Sequence, residues 1–559
     1  MRRLTTTVTT GAAAFAVLGS LAVAVPAGAA TPPAPGTAGG TAAGAAQATA
    51  AGGTTGRIRW TKCPDAADPF LHLVGAVCGF VSVPLDHSKP AGTKIKLAVS
   101  MVKRTTKSGK RYQGVMLTNP GGPGGSGLAL PVLSAFEPRA GVYDWIGFDP
   151  RGVGASVPSL RCAPERSKAP LPSPEPVTPA IEAKWLQRAK SYAKACGRAG
   201  GALLSHMKTT DWAKDMDYIR AALGVKQINY YGFSYGSYLG QVYATLYPQR
   251  VRRMVLDGNV DPTRVWYRGT LDQNIAFERT MKLWFSWLAR HHRAFGLGAS
   301  ARAVERRFYT ERAALARKPA GGVIGASEWT EIFIQAAYNE ITWVDLGKLW
   351  AAWNTDRTKP APLVEAYKKI DTPSYQQMGN AYNAVTCTDA PWPTSFATWR
   401  KDAWASHARA PYTTWSNTWG TVPCLFWPAR PGTPITVDGS KTPPILLVNE
   451  TLDAPTPFQN ALAVRKHFPR SRLLAVLGGA NHSGSLPTAN ACERTVIWDY
   501  LTTGRLPVRA GGNRADVACK RSPLPDPNAK DPFASSAGEK AAALREQLTR
   551  VPRPTHLTP

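Results

Sequence analysis

A serine between two glycines follows a strand-like apolar run near the middle of the chain. Ser234 lies in the pentapeptide Gly232-Phe233-Ser234-Tyr235-Gly236, directly after residues 227–231. Small flanking residues permit a turn that is too tight for larger side chains. The helical stretch that follows, residues 237–246, points its first amide N–H groups back at the serine. The pattern predicts a nucleophile elbow, in which a sharp strand-to-helix turn exposes a hydroxyl group.

The surrounding sequence predicts a mostly parallel sheet wrapped by helices. From Lys94 onward, short β-rich runs alternate with helical stretches, which is typical of the α/β class. We expect strands at residues 95–101, 114–118, 143–148, 227–231, 251–256, 444–449 and 472–476, and helices such as 182–196 and 209–223 between them. The predicted fold is therefore α/β, with the serine at one edge of the sheet.

This pattern is interrupted after Asp261-Pro262. Residues 262–430 contain 13 of the 18 tryptophans of the chain, mainly at helical spacing, and the sheet pattern resumes near Thr442. A helical segment inserted between two strands predicts a cap over the carboxyl edge of the sheet. Most of these rings should pack in the interior of the cap, and one or two are candidates to line a substrate cleft.

The chain of 559 residues is too long for one simple core, so we divide it into segments. Residues 1–29 resemble a signal peptide, with Arg2-Arg3, an apolar stretch and Ala27-Gly28-Ala29. Residues 30–56 predict a leader or propeptide and linker, and we leave open whether this segment inhibits the enzyme. The core is expected at 57–261 and 431–519, the cap at 262–430 and a peripheral tail at 520–559. No later segment is apolar enough to span a membrane, which predicts a secreted protein.

The eight cysteines also indicate an oxidising compartment. An even number behind a signal peptide favours disulfides, and no C-x-x-C spacing suggests a metal or redox site. Among 105 formal pairings we expect sequential neighbours, because each such pair closes a modest loop. The expected disulfides are Cys63–Cys78, Cys162–Cys196, Cys387–Cys424 and Cys492–Cys519.

The formal net charge of +30 has two interpretations. It could favour adsorption to an anionic cell wall, or it could simply keep an arginine-rich surface soluble. Lysine and arginine are scattered, with no basic run and no nucleic-acid motif, so no nucleic-acid partner is expected.

A serine that acts as a nucleophile needs a base to remove its proton, an acid to orient that base and a site that binds the oxyanion. The acid candidate is Asp453, on a proline-rich turn after an apolar strand, with Asp257 and Glu450 as rivals. The base candidate is His482, flanked by small residues after the next strand. The resulting order Ser, Asp, His is that of α/β-hydrolases.

The glycine-rich segment at residues 119–127, Asn-Pro-Gly-Gly-Pro-Gly-Gly-Ser-Gly, is the candidate oxyanion loop. Without side chains, its amides can converge on an anion, and a Walker ending is absent. We assign the Gly122 and Tyr235 amides as the two donors. Asp149 and Arg151, which follow another strand, are interpreted as structural ion-pair residues beside the site.

Together these motifs resemble the secreted bacterial tripeptidyl aminopeptidases, α/β-hydrolases related to the prolyl iminopeptidases. The resemblance covers residues 60–519 and includes Gly-Phe-Ser-Tyr-Gly-Ser-Tyr-Leu-Gly at 232–240, Leu-Asp-Ala-Pro-Thr-Pro at 452–457 and Asn-His-Ser at 481–483. It implies Ser234 as nucleophile, Asp453 as orienting acid and His482 as base. Asn119 stands where related prolyl enzymes have histidine, which weakens the case for strict proline specificity.

The expected function is release of short peptides, tripeptides above all, from free N-termini of polypeptides, without metal or organic cofactor. A buried carboxylate should bind the substrate ammonium group. The cap offers Glu328, Glu331, Glu340, Asp345 and Asp389, of which Asp389 is weakly favoured because of its neighbouring cysteine and tryptophan. A carboxylesterase or an endopeptidase with the same triad remains an alternative, as does a catalytically silent adhesion protein.

Overall fold

The computed structural model describes residues 56–64, 69–106, 112–162, 168–486 and 489–529. The predicted signal peptide, nearly all of the predicted leader and most of the tail lie outside these residues. No helix in the described ranges is both long and apolar enough to cross a membrane.

Within the described ranges, ten strands form one sheet with the spatial order β1-β2-β3-β5-β4-β6-β7-β8-β9-β10. The strands are β1 Thr61–Lys62, β2 Val77–Pro84, β3 Lys94–Val102, β4 Val115–Asn119, β5 Asp144–Phe148, β6 Ile228–Phe233, β7 Val251–Asp257, β8 Leu446–Glu450, β9 Arg472–Leu477 and β10 Val517–Lys520. The first three strands run antiparallel to their neighbours, and all pairs from β5 to β10 are parallel. The seven predicted strands are present, each within two residues of its predicted ends, whereas β1, β2 and β10 were not predicted.

Fifteen α-helices lie among the described residues. Those of the core are α1 Pro69–Leu73, α2 Pro179–Gly200, α3 Thr209–Ala222, α4 Tyr235–Leu246, α14 Phe458–His467 and α15 Ala491–Thr503. Nine more occur between β7 and β8: α5 Tyr267–Arg290, α6 His292–Phe295, α7 Ala301–Arg317, α8 Ala326–Phe333, α9 Trp343–Thr355, α10 Ala361–Ile370, α11 Pro373–Asp389, α12 Phe396–His407 and α13 Thr414–Thr421. This is where the sequence predicted the helical cap.

Local sequence signals explain where several helices begin and end. Thr178 accepts a hydrogen bond from the Ile181 amide at the start of α2, and proline occupies the first turn. Asn490 and Glu493 form a reciprocal capping box at the start of α15, which ends before a left-handed glycine, Gly504. These signals fix the ends of the two helices independently of tertiary packing.

Both faces of the sheet are covered by apolar side chains. On one face, α3, α4 and α14 contribute Trp212, Leu239 and Val464 to a continuous core. On the other face, Leu130 and Trp498 of α15 pack against strand residues. A parallel sheet buried on both faces needs nearly continuous apolar strands, and β4, β6 and β8 are fully buried.

The cap has its own aromatic interior. Trp284, Phe308, Trp329, Phe333 and Trp350 are fully buried and contact one another, with ring centroids 4.5 Å apart for Trp329 and Phe333. Most cap tryptophans therefore pack in the interior, as the sequence predicted.

Four disulfides join the pairs expected from the sequence order. They are Cys63–Cys78, Cys162–Cys196, Cys387–Cys424 and Cys492–Cys519. Two of them fasten elements near the carboxyl edge of the sheet, α2 to the segment after β5 and α11 to the turn after α13. Four disulfides favour an oxidising compartment such as the extracellular space.

Candidate active site

The sheet places the predicted reactive residues at a common edge. Strands β4, β6, β7, β8 and β9 are parallel neighbours, so their carboxyl ends lie at the same edge. The glycine-rich segment 119–127, called the glycine loop below, lies at the end of β4, and Ser234 follows β6. Asp257 ends β7, Asp453 follows β8 and His482 follows β9. This edge is where ligands bind in open α/β sheets.

Ser234 occupies a strained backbone conformation between β6 and α4. Its φ of 56° and ψ of −125° lie in a region that L-residues rarely adopt. A Cβ at Gly232 would lie 2.4 Å from the Gly236 carbonyl oxygen, so the turn requires glycine there. The Ser234 amide donates to the Asp257 carbonyl oxygen at 2.8 Å, which anchors the turn to β7. The predicted elbow geometry is therefore present.

His482 and Asp453 are hydrogen-bonded in a buried environment. The two carboxylate oxygens of Asp453 lie 3.1 Å and 3.0 Å from His482 Nδ1. This contact places the neutral imidazole proton on Nδ1 and leaves Nε2 as a proton acceptor. His482 and Ser234 both line the cavity described below.

Thr456 is a further partner of this pair that the sequence analysis did not single out. Its amide donates to Asp453 Oδ1 at 2.9 Å, and its hydroxyl donates to Oδ2 at 2.8 Å and lies 3.2 Å from His482 Nδ1. The signal available in the sequence was the spacing of three residues between Asp453 and Thr456. An aspartate side chain commonly accepts hydrogen bonds from the backbone and hydroxyl groups of the turn that follows it.

The glycine loop lies against the elbow. A Cβ on Gly121, whose φ is +94°, would be 2.8 Å from the Tyr235 amide nitrogen and 2.9 Å from Ser234 Cβ. Asn119 fixes the loop by accepting from the Gly121 amide at 3.0 Å. Tyr235 is the first residue of α4, where amides lack an intrahelical acceptor. The Gly122 and Tyr235 amides thus belong to segments in direct contact, and their role as oxyanion donors stays a prediction.

The two rivals for the acid have other partners. The Asp257 carboxylate accepts from the amide and the hydroxyl of Ser485, at 3.0 and 2.5 Å. The Glu450 carboxylate accepts from the amide and side chain of Asn481. Burial raises the pKa of Asp257 to about 6 and that of Glu450 well above its ordinary value. Neither carboxylate occupies the position next to the His482 ring that Asp453 occupies.

Asp149 and Arg151 are both buried, but they do not pair with each other. Asp149 accepts from Ser126 Oγ and the Gly127 amide, so it fixes the end of the glycine loop, and burial raises its pKa to about 6. Arg151 is fully buried and forms a two-pronged ion pair with Asp215 of α3, at 2.7 and 2.6 Å. The expected structural role therefore involves Asp215 as the partner of the arginine.

A cavity of about 500 Å³ lies between the sheet edge and the cap. Ser234, His482 and Gly122 line its floor. Its walls include Trp185 and Trp419, which stack with ring centroids 5.4 Å apart. One cap tryptophan, Trp419, is therefore a cleft residue, as the sequence analysis allowed. A cavity of this size is typical of binding sites for small ligands.

The five candidate acids for ammonium binding occupy different environments. Glu331 and Glu328 line the cavity. Glu331 accepts a hydrogen bond from the Tyr375 hydroxyl, whereas Glu328 caps the start of α8 and accepts from the Leu171 amide. Burial and, to a smaller extent, the nearby Glu331 carboxylate raise the pKa of the Tyr338 phenol, and the Tyr338 ring is 5.8 Å from that of His482. Glu331 is thus a carboxylate that lines the cavity and lies near Tyr338, which contacts the His482 ring.

The structure does not bring Asp389 and Glu340 into the cavity wall. Asp389 is buried and accepts from the amide and hydroxyl of Thr209, at 2.6 and 2.5 Å, and from the Trp266 indole. It therefore caps the start of α3 instead of facing a substrate, which corrects our expectation. Glu340 is paired with Arg521 at 3.2 Å and contacts the loop of His482. Asp345, on α9, is also absent from the residues that line the cavity.

Residues 114–486 match the family described as alpha/beta hydrolase fold, and the chain belongs to that family. Tripeptidyl aminopeptidase from Streptomyces lividans is 39% identical over 462 residues, which are 80% of this chain and 84% of that protein. Serine protease Hip1 from Mycobacterium tuberculosis is 30% identical over 478 residues (80% and 89%), and carboxylesterase B from the same species is 31% identical over 472 residues (80% and 88%). The protein is a serine hydrolase of the tripeptidyl aminopeptidase type, as the motifs predicted.

Proposed function

We propose that the protein is a secreted serine exopeptidase that releases short peptides, with tripeptides as the main product, from free N-termini. The main support is that Ser234 of the elbow and His482, which is hydrogen-bonded to the buried Asp453, line one cavity, whose cap wall carries Glu331. Similarity to tripeptidyl aminopeptidase favours the same product. The four disulfides and the signal-like N-terminus support secretion.

In this mechanism His482 removes the hydroxyl proton of Ser234 as the oxygen attacks the scissile carbonyl carbon. The tetrahedral oxyanion accepts hydrogen bonds from the Gly122 and Tyr235 amides, while Asp453 stabilises the imidazolium. His482 then gives the proton to the leaving amine, and a peptidyl ester of Ser234 remains. Water, deprotonated by His482, hydrolyses this ester and frees the serine.

Glu331 is the residue that we propose to bind the substrate ammonium group. A carboxylate pairs with an α-ammonium through strong charge-assisted hydrogen bonds. Acetylation of the amine removes both the charge and two donors. A peptide that is blocked in this way should therefore lose affinity for the cavity.

The test compares a tripeptide anilide that has a free amine with its N-acetylated form, beside anilides of one and two residues. We expect the free tripeptide to be cleaved fastest, and Glu331→Gln to raise its KM on the order of tenfold or more, as removal of a charge-assisted hydrogen bond should. Equal cleavage of the free and acetylated peptides would contradict exopeptidase activity.

A carboxylesterase is the second candidate, favoured by the 31% identity to carboxylesterase B and by the apolar, aromatic cavity walls. It would use the same triad without needing a substrate amine. Fluorophosphonate labelling of Ser234 is expected for either enzyme and should disappear in Ser234→Ala. Efficient hydrolysis of neutral carboxylic esters, with no cleavage of free peptides, would favour the esterase.

A further inference from the structure

The loop that carries His482 lies between two carboxylates that belong to different parts of the molecule. Glu450 comes from the end of β8, in the core. Glu340 comes from the cap, in the short 3-10 turn Glu340–Thr342 that precedes α9. Both are buried, and both contact Asn481, the residue before His482. We refer to residues 478–482 as the histidine loop.

The core side of the histidine loop is held by Glu450. Its Oε2 accepts from the Asn481 amide at 2.5 Å, and its Oε1 accepts from Asn481 Nδ2 at 3.2 Å. The approach is so close that a Cβ at Gly479 would be 2.3 Å from Glu450 Oε2. This two-point contact fixes both the backbone and the side chain of the residue before the imidazole.

The cap side is held by three hydrogen bonds from one short segment. The His482 amide donates to the Tyr338 carbonyl oxygen at 2.7 Å, and the Glu340 amide donates to Asn481 Oδ1 at 2.9 Å. The Glu340 carboxylate accepts from the Ala480 amide. These bonds attach the histidine loop to the cap as well as to the core.

Arg521 completes the arrangement from the far side. Its Nη1 lies 3.2 Å from Glu340 Oε1 and donates to the Gly478 carbonyl oxygen at 3.4 Å. One cation thus joins the first residue of the histidine loop to the cap carboxylate. The backbone amides of Ala480, Asn481 and His482 and the Asn481 side chain are thus all hydrogen-bonded to groups outside the histidine loop.

We propose that Glu340 and Glu450 are positioning residues, which hold Asn481 so that His482 is correctly oriented only when the cap segment of residues 338–340 is in place. This inference rests on the proposed role of His482 as base. Neither carboxylate touches the reacting atoms, so their effect is transmitted through the histidine loop. Placement of the cap and alignment of the base are then one event, and an enzyme with a displaced cap would have low reactivity at Ser234.

The test measures Ser234 reactivity with probes that do not depend on recognition of an amine. The full-length enzyme and the variants Glu340→Ala, Glu340→Gln and Asn481→Ala are compared by the rate of fluorophosphonate labelling and by hydrolysis of p-nitrophenyl acetate. We expect Glu340→Ala and Asn481→Ala to lower both rates on the order of 100-fold, as misplacement of a catalytic group by about 1 Å does. KM for the free tripeptide anilide should change less than threefold (about 0.6 kcal/mol).

Glu340→Gln should recover part of the rate, because its amide oxygen still accepts from the Ala480 amide. Asp345→Asn, a matched cap carboxyl without contact to the histidine loop, should behave like the wild type. Thermal unfolding identifies any variant that is unfolded. If Glu340→Ala is unfolded, the labelling and hydrolysis rates of Glu340→Gln decide the outcome. Wild-type labelling rates in Glu340→Ala and Asn481→Ala, or a selective rise in peptide KM, would overturn the proposal. Absence of labelling in the wild type would instead refute the proposed function.

Discussion

At the scale of single residues, the hydroxyl of Thr456 links the acid and the base of the proposed triad. Thr456→Val keeps the shape and the backbone bond to Asp453 but removes the hydroxyl bond of 2.8 Å. Loss of a hydrogen bond to a charged group costs about 1.5–3 kcal/mol, which corresponds to a fall in kcat of roughly 10- to 100-fold. Steady-state kinetics with the tripeptide anilide measure this effect. Thr495→Val, at an exposed hydroxyl on α15, is the control, and an unchanged kcat in Thr456→Val would contradict the argument.

Sequence alone located the residues whose position follows from a strand end. Ser234, Asp453 and His482 each follow the end of a strand within five residues, so the parallel sheet brings them to one edge regardless of details elsewhere. The environments of Asp389 and Glu340 could not be predicted from strand ends. Asp389 is turned away from the cavity because α11 packs against the start of α3. Glu340 is turned away because Arg521, from the C-terminal part of the chain, pairs with it. Those contacts join residues far apart in the sequence.

At the scale of elements, contact between the glycine loop and the elbow yields a second prediction. Gly121→Ala places a Cβ 2.5 Å from the Phe233 carbonyl oxygen, so the loop must shift away from Ser234. A displaced oxyanion donor is expected to lower kcat about 100- to 1,000-fold. Gly224→Ala is the matched control, because Gly224 also has a positive φ (+71°) but open space around its Cβ.

Both glycine variants should lose some stability through backbone strain, of about 1–3 kcal/mol. Only Gly121→Ala should also lose activity, as measured by kcat and by the rate of Ser234 labelling. Equal loss of activity in both variants would mean that strain alone, and not displacement of the loop, is responsible.

Among whole elements, the central buried strands were predictable, whereas β1, β2 and β10, toward the two sides of the sheet, were not. Strands such as β4 and β8 are short, begin with three apolar residues and are fully buried. By contrast, β1 has two residues and β10 has four, mostly exposed, so neither has a pattern that differs from a loop. The cap was recognisable from its tryptophans, but the path of its nine helices depends on ring-to-ring packing.

At the scale of the whole molecule, buried carboxyls should govern how stability depends on pH. Burial raises the pKa of eight of them. It is raised to about 6 for Asp149, Asp257 and Asp389, to about 7 for Glu340 and Glu493, well above its usual value for Glu450, and above its usual value for Glu278 and Glu328. Each of these groups stabilises the fold fully below its unfolded pKa of about 4, and that contribution is lost as the pH rises through the folded value. Two histidines, His206 and His407, act in the opposite direction because burial lowers their pKa.

These eight carboxyls outnumber the two histidines, so we expect the free energy of unfolding to fall between pH 5 and pH 8. Asp215, whose pKa is lowered chiefly by Arg151 against the effect of burial, does not counteract this, because its contribution changes only below about pH 4. Urea unfolding at several pH values measures the trend. Glu493→Gln should make the decline shallower, since its amide can still cap α15 but no longer titrates. Glu365→Gln, at an exposed position, should leave the slope unchanged. A free energy of unfolding that rises steadily from pH 5 to pH 8 would show that the buried carboxyls do not dominate.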